Sequence, residues 1–128
     1  MNLPQVHSSN IRSWLNKEDV VQETAEQIMK DFHQFGIVIH FSGKIESAYE
    51  ELHGQLSPVI RSLLQTDHQQ LYRLFYRIDI DEKQKSTEDV FPASFDDADR
   101  LAHQVMVREL KKVLTRHYLR DNKNNAEG

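Results

Sequence analysis

The stretch Leu71-Tyr72-Arg73-Leu74-Phe75-Tyr76-Arg77-Ile78-Asp79-Ile80-Asp81 is the densest apolar and aromatic segment of the chain. At helical spacing Leu71, Leu74, Phe75 and Ile78 share one face, Tyr72 and Tyr76 flank it, and Arg73 and Arg77 lie opposite. Asp67 followed by Gln70 has the form of a capping box and starts this helix near residue 68. Such a stripe is too narrow to be stable alone, so the rest of the chain must supply helices to cover it.

Those helices are legible on either side. Val21, Ala25, Ile28, Phe32 and Phe35 recur at alternating steps of four and three, with Glu18 and Asp19 in the first turn and Gly36 as the stop, giving a helix over about 17–35. Asn16 is its expected N-cap. Ile11, Trp14 and Leu15 before it suit a short helical turn that lays the only Trp on the core. Ile45, Ala48, Tyr49, Leu52, Leu56, Val59, Ile60, Leu63 and Leu64 hold one face over 45–65. Gly54 and Pro58 interrupt it, and the unbroken stripe favours one kinked helix over two. Ser94 and Asp97 offer a capping box for a last helix over about 95–119. That helix carries two apolar stripes, Ala98, Leu101, Ala102 and Val105 on one side and Val107, Leu110, Leu114 and Tyr118 on another. It is therefore either central in its bundle or shared with a second subunit.

Between the first two long helices, Ile37-Val38-Ile39-His40-Phe41 is β-branched and aromatic and reads as a short extended segment. Its partner would be residues 78–81, the region of Val90 and Phe91, or the same segment of a second subunit. The fold class is mainly α: a compact bundle of four principal helices (about 17–35, 45–65, 68–78 and 95–119) with one extended segment at 37–41. A mobile arm is expected at 1–10, a single helical domain over 11–120 and a disordered tail at 121–128. The core should contain Val21, Ala25, Ile28, Phe32, Phe35, Tyr49, Leu52, Leu56, Ile60, Leu63, Leu71, Leu74, Phe75, Ile78, Leu101, Val105, Leu110 and Val113.

Composition agrees. At 128 residues and 15.1 kDa the chain is one domain, large enough for a single core. Four Gly and three Pro supply too few turns for a sheet of many short strands. Cysteine is absent, which excludes disulfides and thiol chemistry and fits a reducing compartment. Residues 1–7 lack the features of a signal peptide, and no apolar run reaches the roughly 20 residues that span a bilayer, so a cytoplasmic protein is expected with no membrane partner.

Few motifs carry chemistry. The acidic Asp79-Ile80-Asp81-Glu82 begins like a calcium loop, but Lys83, Gln84 and Val90 stand where an oxygen ligand, a Gly and the closing Glu belong. Glu50-Glu51-Leu52-His53 holds one Glu-x-x-His, where a di-iron bundle needs two. Asp99 and His103 form an i,i+4 pair able to share a proton or a metal. With no nucleophile motif, phosphate loop or His-Glu-x-x-His, no catalytic, cofactor or metal residue is assigned. Asp79, between two isoleucines at a helix end, is the residue to watch: buried against Arg73 or Arg77 it is structural, open beside a histidine it is chemical.

Net charge is −4, with acids dense over 79–100 and cations over 108–123. The expected function is a non-catalytic interaction or adaptor protein, possibly homodimeric, using Val107, Leu114 and Tyr118 with Arg108, Lys111, Lys112, Arg116 and Arg120. Nucleic acid held by those cations is the alternative, and an enzyme or metal protein built on His and carboxylates the weaker one. The order "LYRLFYRIDIDE", a polar loop, then "RLAHQVMVRELKKVLTRHYL" resembles a family of small uncharacterised bacterial proteins over residues 20–119. That resemblance implies no activity.

Overall fold

The computed structural model describes residues 11–15, 17–80 and 91–127. It contains α1 (Ile11–Trp14), α2 (Glu18–His33), a 3-10 turn (Ile45–Ser47), α3 (Ala48–Thr66), α4 (His68–Ile78) and α5 (Asp97–Glu127), with no strand among the described residues. The chain is a mainly α bundle of four principal helices. α5 runs along both α2 and α3, and α4 closes chiefly against α3.

The core is continuous. Ala25, Ile28, Phe32, Leu52, Leu56, Ile60, Leu74, Ile78, Val105, Leu110 and Val113 are all fully or almost fully shielded. Side chains of this kind contribute about 1.5–3 kcal/mol each on burial. Of the expected core, Phe35, Tyr49 and Leu101 are only partly buried. Both apolar stripes of α5 are used inside the monomer: Ala98, Ala102 and Val105 are buried, and so are Leu110 and Leu114 on the other side. Of the two expectations for this helix, the central position is the one observed. α5 also continues past the expected stop near 119 to Glu127, through the segment read as a polar tail.

Helix ends follow their local chemistry. Asp67 accepts from Gln70 N at 3.1 Å, as its capping position requires. The Gln70 side chain does not reach back to complete the box; it donates to Phe35 O instead, at 3.2 Å. At α5 the expected frame is shifted by two residues. Asp96 and Asp99 form the reciprocal cap, Asp99 N donating to Asp96 Oδ1 (2.9 Å) and Asp96 N to Asp99 Oδ2 (3.0 Å), while Ser94 lies in the preceding turn. Aspartate suits both positions because it accepts a bond and complements the positive helix end. α3 is one helix through Pro58. Gly54 and Pro58 are both exposed, so the bond that proline removes is lost at the surface and not in the core.

α2 and α4 end alike. Ile37 N donates to Phe32 O and Gly36 N to His33 O; Ile80 N donates to Phe75 O and Asp79 N to Tyr76 O. Both are Schellman closures with an isoleucine just beyond. The left-handed position is Gly36 (φ 74°) in one and Asp79 (φ 68°) in the other. Asn16, expected as a cap, lies outside the described residues, as do residues 1–10 and most of the polar connection after Asp79.

Candidate functional site

The extended segment after Gly36 has no strand beside it among the described residues. Helix α3 stands in for one: Gln55 Oε1 accepts from His40 N at 2.8 Å, and Gln55 Nε2 donates to His40 O at 2.7 Å. A carboxamide carries one acceptor and one donor side by side, as a strand residue does. One turn earlier Glu51 accepts from Ser42 N (2.9 Å) and from the Ser42 hydroxyl (2.8 Å). Of the partners expected for residues 37–41 within the chain, residues 78–80 and Phe91 make no backbone hydrogen bond to the segment, and Asp81 and Val90 lie outside the described residues. Ile37, Ile39 and Phe41 face the protein, while Val38, His40 and Ser42 are exposed.

Most of the α5 cations are spoken for. Arg108 donates to Asp79 through Nε to the carbonyl (3.1 Å) and Nη2 to Oδ2 (2.9 Å). Lys112 Nζ lies 2.9 Å from Glu109, Arg120 lies 3.8 Å from Glu23, and His117 lies 2.9 Å from Glu23 and 3.8 Å from Asp19. Lys111 and Arg116 make no ion pair among the described residues. Of the expected α5 face, Leu114 is buried, Val107, Arg108, Lys112 and Tyr118 are half-buried, and Lys111, Arg116 and Arg120 are exposed.

Asp79 is exposed, and its partner is Arg108 rather than Arg73 or Arg77. Arg77 crosses to α2 instead, where its Nε meets Asp31 Oδ1 at 3.2 Å. Asp31 is buried, receives Gln27 Nε2 on both oxygens, and neighbours Glu109 of α5, which is 0% exposed. Burial, and next the Asp31 carboxylate that a protonated Glu109 can meet with a hydrogen bond, push the Glu109 carboxyl up to about 8; Lys112 pulls the other way. This pair is closed to substrate and reads as a structural network.

At the start of α5, five rings form a closed circuit. Tyr49 stacks on His53, His53 on Phe95, Phe95 on Phe91, Phe91 meets His103 edge-on, and His103 returns to Tyr49. The Tyr49 hydroxyl is 2.8 Å from His103 Nδ1 and His53 Nε2 is 2.9 Å from Asp99 O. Ser57 donates to Asp99, and Arg61 joins Asp96 (2.9 Å) and Asp99 (3.2 Å). Arg61 and the Asp99 amide hold the Asp96 carboxyl well below the usual range. Asp99 and His103 therefore turn to different partners, and the hydroxyl of Ser57 addresses a carboxylate rather than a histidine. The arrangement seats the helix and lacks the nucleophile–base contact of a hydrolase. No group of three His, Asp or Glu able to hold a metal occurs among the described residues, and His53 of the Glu-x-x-His is enclosed by rings. No helix among them is long and apolar enough to cross a membrane.

What remains turned outward is α4. Tyr72 is 60% and Tyr76 89% exposed, four residues apart, with exposed His68 and Arg73 on the same side and no acidic residue in the helix. Sequence patterning placed these tyrosines beside the core; their exposure follows from α4 presenting only its narrow stripe to α3. The buried Asp31–Glu109 pair and the Gln55 bridge were missed, since neither has a spacing signature. No family model, curated protein or solved structure matches the chain.

Proposed function

We propose that the chain is a non-catalytic adaptor whose client is an acidic segment of another protein, received on the outer face of α4. The observation that carries this reading is the exposed pair Tyr72 and Tyr76, with Arg73 between them on a helix that has no acid. Tyrosine and arginine are the residues that concentrate binding energy at interfaces, because each combines broad contact area with a directed polar end. An exposed aromatic pair gains little from water and much from a partner. Local positive charge on a chain of net charge −4 directs the choice toward an acidic client. A cytoplasmic setting belongs to this reading and rests on the cysteine-free composition.

The test is a photo-crosslinking residue placed at position 76 in the full chain in its native cell. A discrete protein adduct is expected, lost when Tyr72→Ser and Arg73→Glu are added. An adduct that survives both changes, or a crosslink to nucleic acid, would overturn the proposal.

A further inference from the structure

We infer that two copies of this chain pair through residues 39–41, as antiparallel strands about a two-fold axis passing at His40. In an extended segment, alternate residues direct their N–H and C=O to opposite edges. His40 turns both of its groups, and Ser42 its N–H, toward α3, where Gln55 and Glu51 bond them. Ile39 and Phe41 therefore face the other edge, and their N–H and C=O groups make no hydrogen bond among the described residues. Ile39 is 4% exposed and Phe41 half-buried, and an unbonded N–H or C=O at either position gains from a hydrogen-bonding partner. A groove of about 390 Å³ between the end of α2 and residues 37–39 leaves space on that side.

The unmet groups are self-complementary. With the axis at His40, Ile39 of one copy lies opposite Phe41 of the other. Each such pair exchanges both of its N–H···O bonds, and none of the four groups is left over. Charge points to a second copy as the occupant. Residues 32–43 are the longest run in the chain without Asp, Glu, Lys or Arg, so two molecules of net charge −4 can meet here without opposing charges. Natural edges meant to stay single carry lysine, proline or a bulge, and this one carries none. Val38, 64% exposed, adds apolar surface beside the axis.

The surface is separate from the α4 face, so the two proposals stand or fall independently. A two-fold dimer would present two client faces and bind a multivalent client with avidity.

The natural absence of cysteine makes the register directly readable. His40 meets its own counterpart as a non-hydrogen-bonded pair, with Cα atoms about 4.5 Å apart, inside disulfide range. The variant His40→Cys is expected to oxidise to a covalent dimer. Val38→Cys, whose counterpart lies roughly 14 Å away along the strands, is expected not to. Analytical ultracentrifugation of the unaltered chain should show a dimer, and Val38→Lys should raise its dissociation constant at least tenfold with the helical circular dichroism unchanged. A strict monomer at millimolar concentration, or a dimer that Val38→Cys locks and His40→Cys does not, overturns the inference.

Discussion

Glu109 of α5 and Asp31 of α2 bring two carboxyl groups together in the interior, with Arg77 and Lys112 as the cations at hand. Its carboxyl is raised to about 8 in the folded chain, from 4.5. The folded state therefore holds a proton that the unfolded state has released, and stability falls as pH rises from about 4.5 to about 8. The linked free energy is on the order of 4 kcal/mol. Glu109→Gln, which keeps the shape and cannot ionise, should flatten that slope and melt higher than the unaltered chain at pH 8. Urea unfolding at pH 5, 6.5 and 8 measures it; parallel slopes in the two proteins would refute the assignment.

The acid limb has the opposite sign. Asp96 is held below its ordinary range by Arg61 and the Asp99 amide, so its contribution is present above the unfolded value of 3.8 and lost as pH falls further. Asp96→Asn keeps the capping acceptor and removes the charge. It should lower the melting temperature at pH 6 while leaving the drop below pH 4 shallower, a comparison that thermal scans at several pH values make.

Asp79 occupies a left-handed position that glycine fills at the equivalent end of α2. Asp79→Gly relieves the backbone and loses the Arg108 bridge, so the two effects should nearly cancel. Asp79→Ala keeps the strain and loses the bridge, and should destabilise by about 1–2 kcal/mol. The ordering Gly above Ala in chemical denaturation is the check.

Removing the Gln55 amide should hand the exposed His40 N–H and C=O to water. Gln55→Ala is expected to cost about 0.5–1.5 kcal/mol and to speed hydrogen exchange at His40 specifically. Unchanged exchange at that amide would mean the bridge is not populated.

Leu114 separates two roles for α5. It is 5% exposed, so Leu114→Ala should destabilise the monomer by about 2–5 kcal/mol and leave the association constant of the folded protein unaltered. Equilibrium unfolding and sedimentation distinguish these outcomes.

Periodicity found the helices because each buries one stripe: Val21 to Phe32 in α2, Leu52 to Leu63 in α3, Leu71 to Ile78 in α4. It also found the double stripe of α5, and left open whether the second side met the chain or a neighbour. Only the placement of α2 and α3 on either side decided that. The cap of α5 was set two residues early because Ser94 and Asp97 satisfy the same spacing as Asp96 and Asp99, and the turn closed by Phe95 N and Pro92 O chooses between them. Long-range polar pairs such as Asp31 with Arg77, or Arg108 with Asp79, have no periodic trace. In sequence they are ordinary surface charges on three different helices.

The Gln55 bridge also bears on the order of folding. His40 and Gln55 are 15 residues apart, and Ser42 and Glu51 only 9. Loops of that size close in about 10–100 ns, far faster than a domain folds. Once α3 has a few turns, residues 40–42 can dock on it without waiting for α5, whose first residue comes more than forty positions after Gln55. The extended segment is thus held ready while the long helix that completes the core is still being placed. On the inferred pairing, its outer edge would meet a second chain from that early moment, and assembly would compete with, rather than follow, the closing of the bundle.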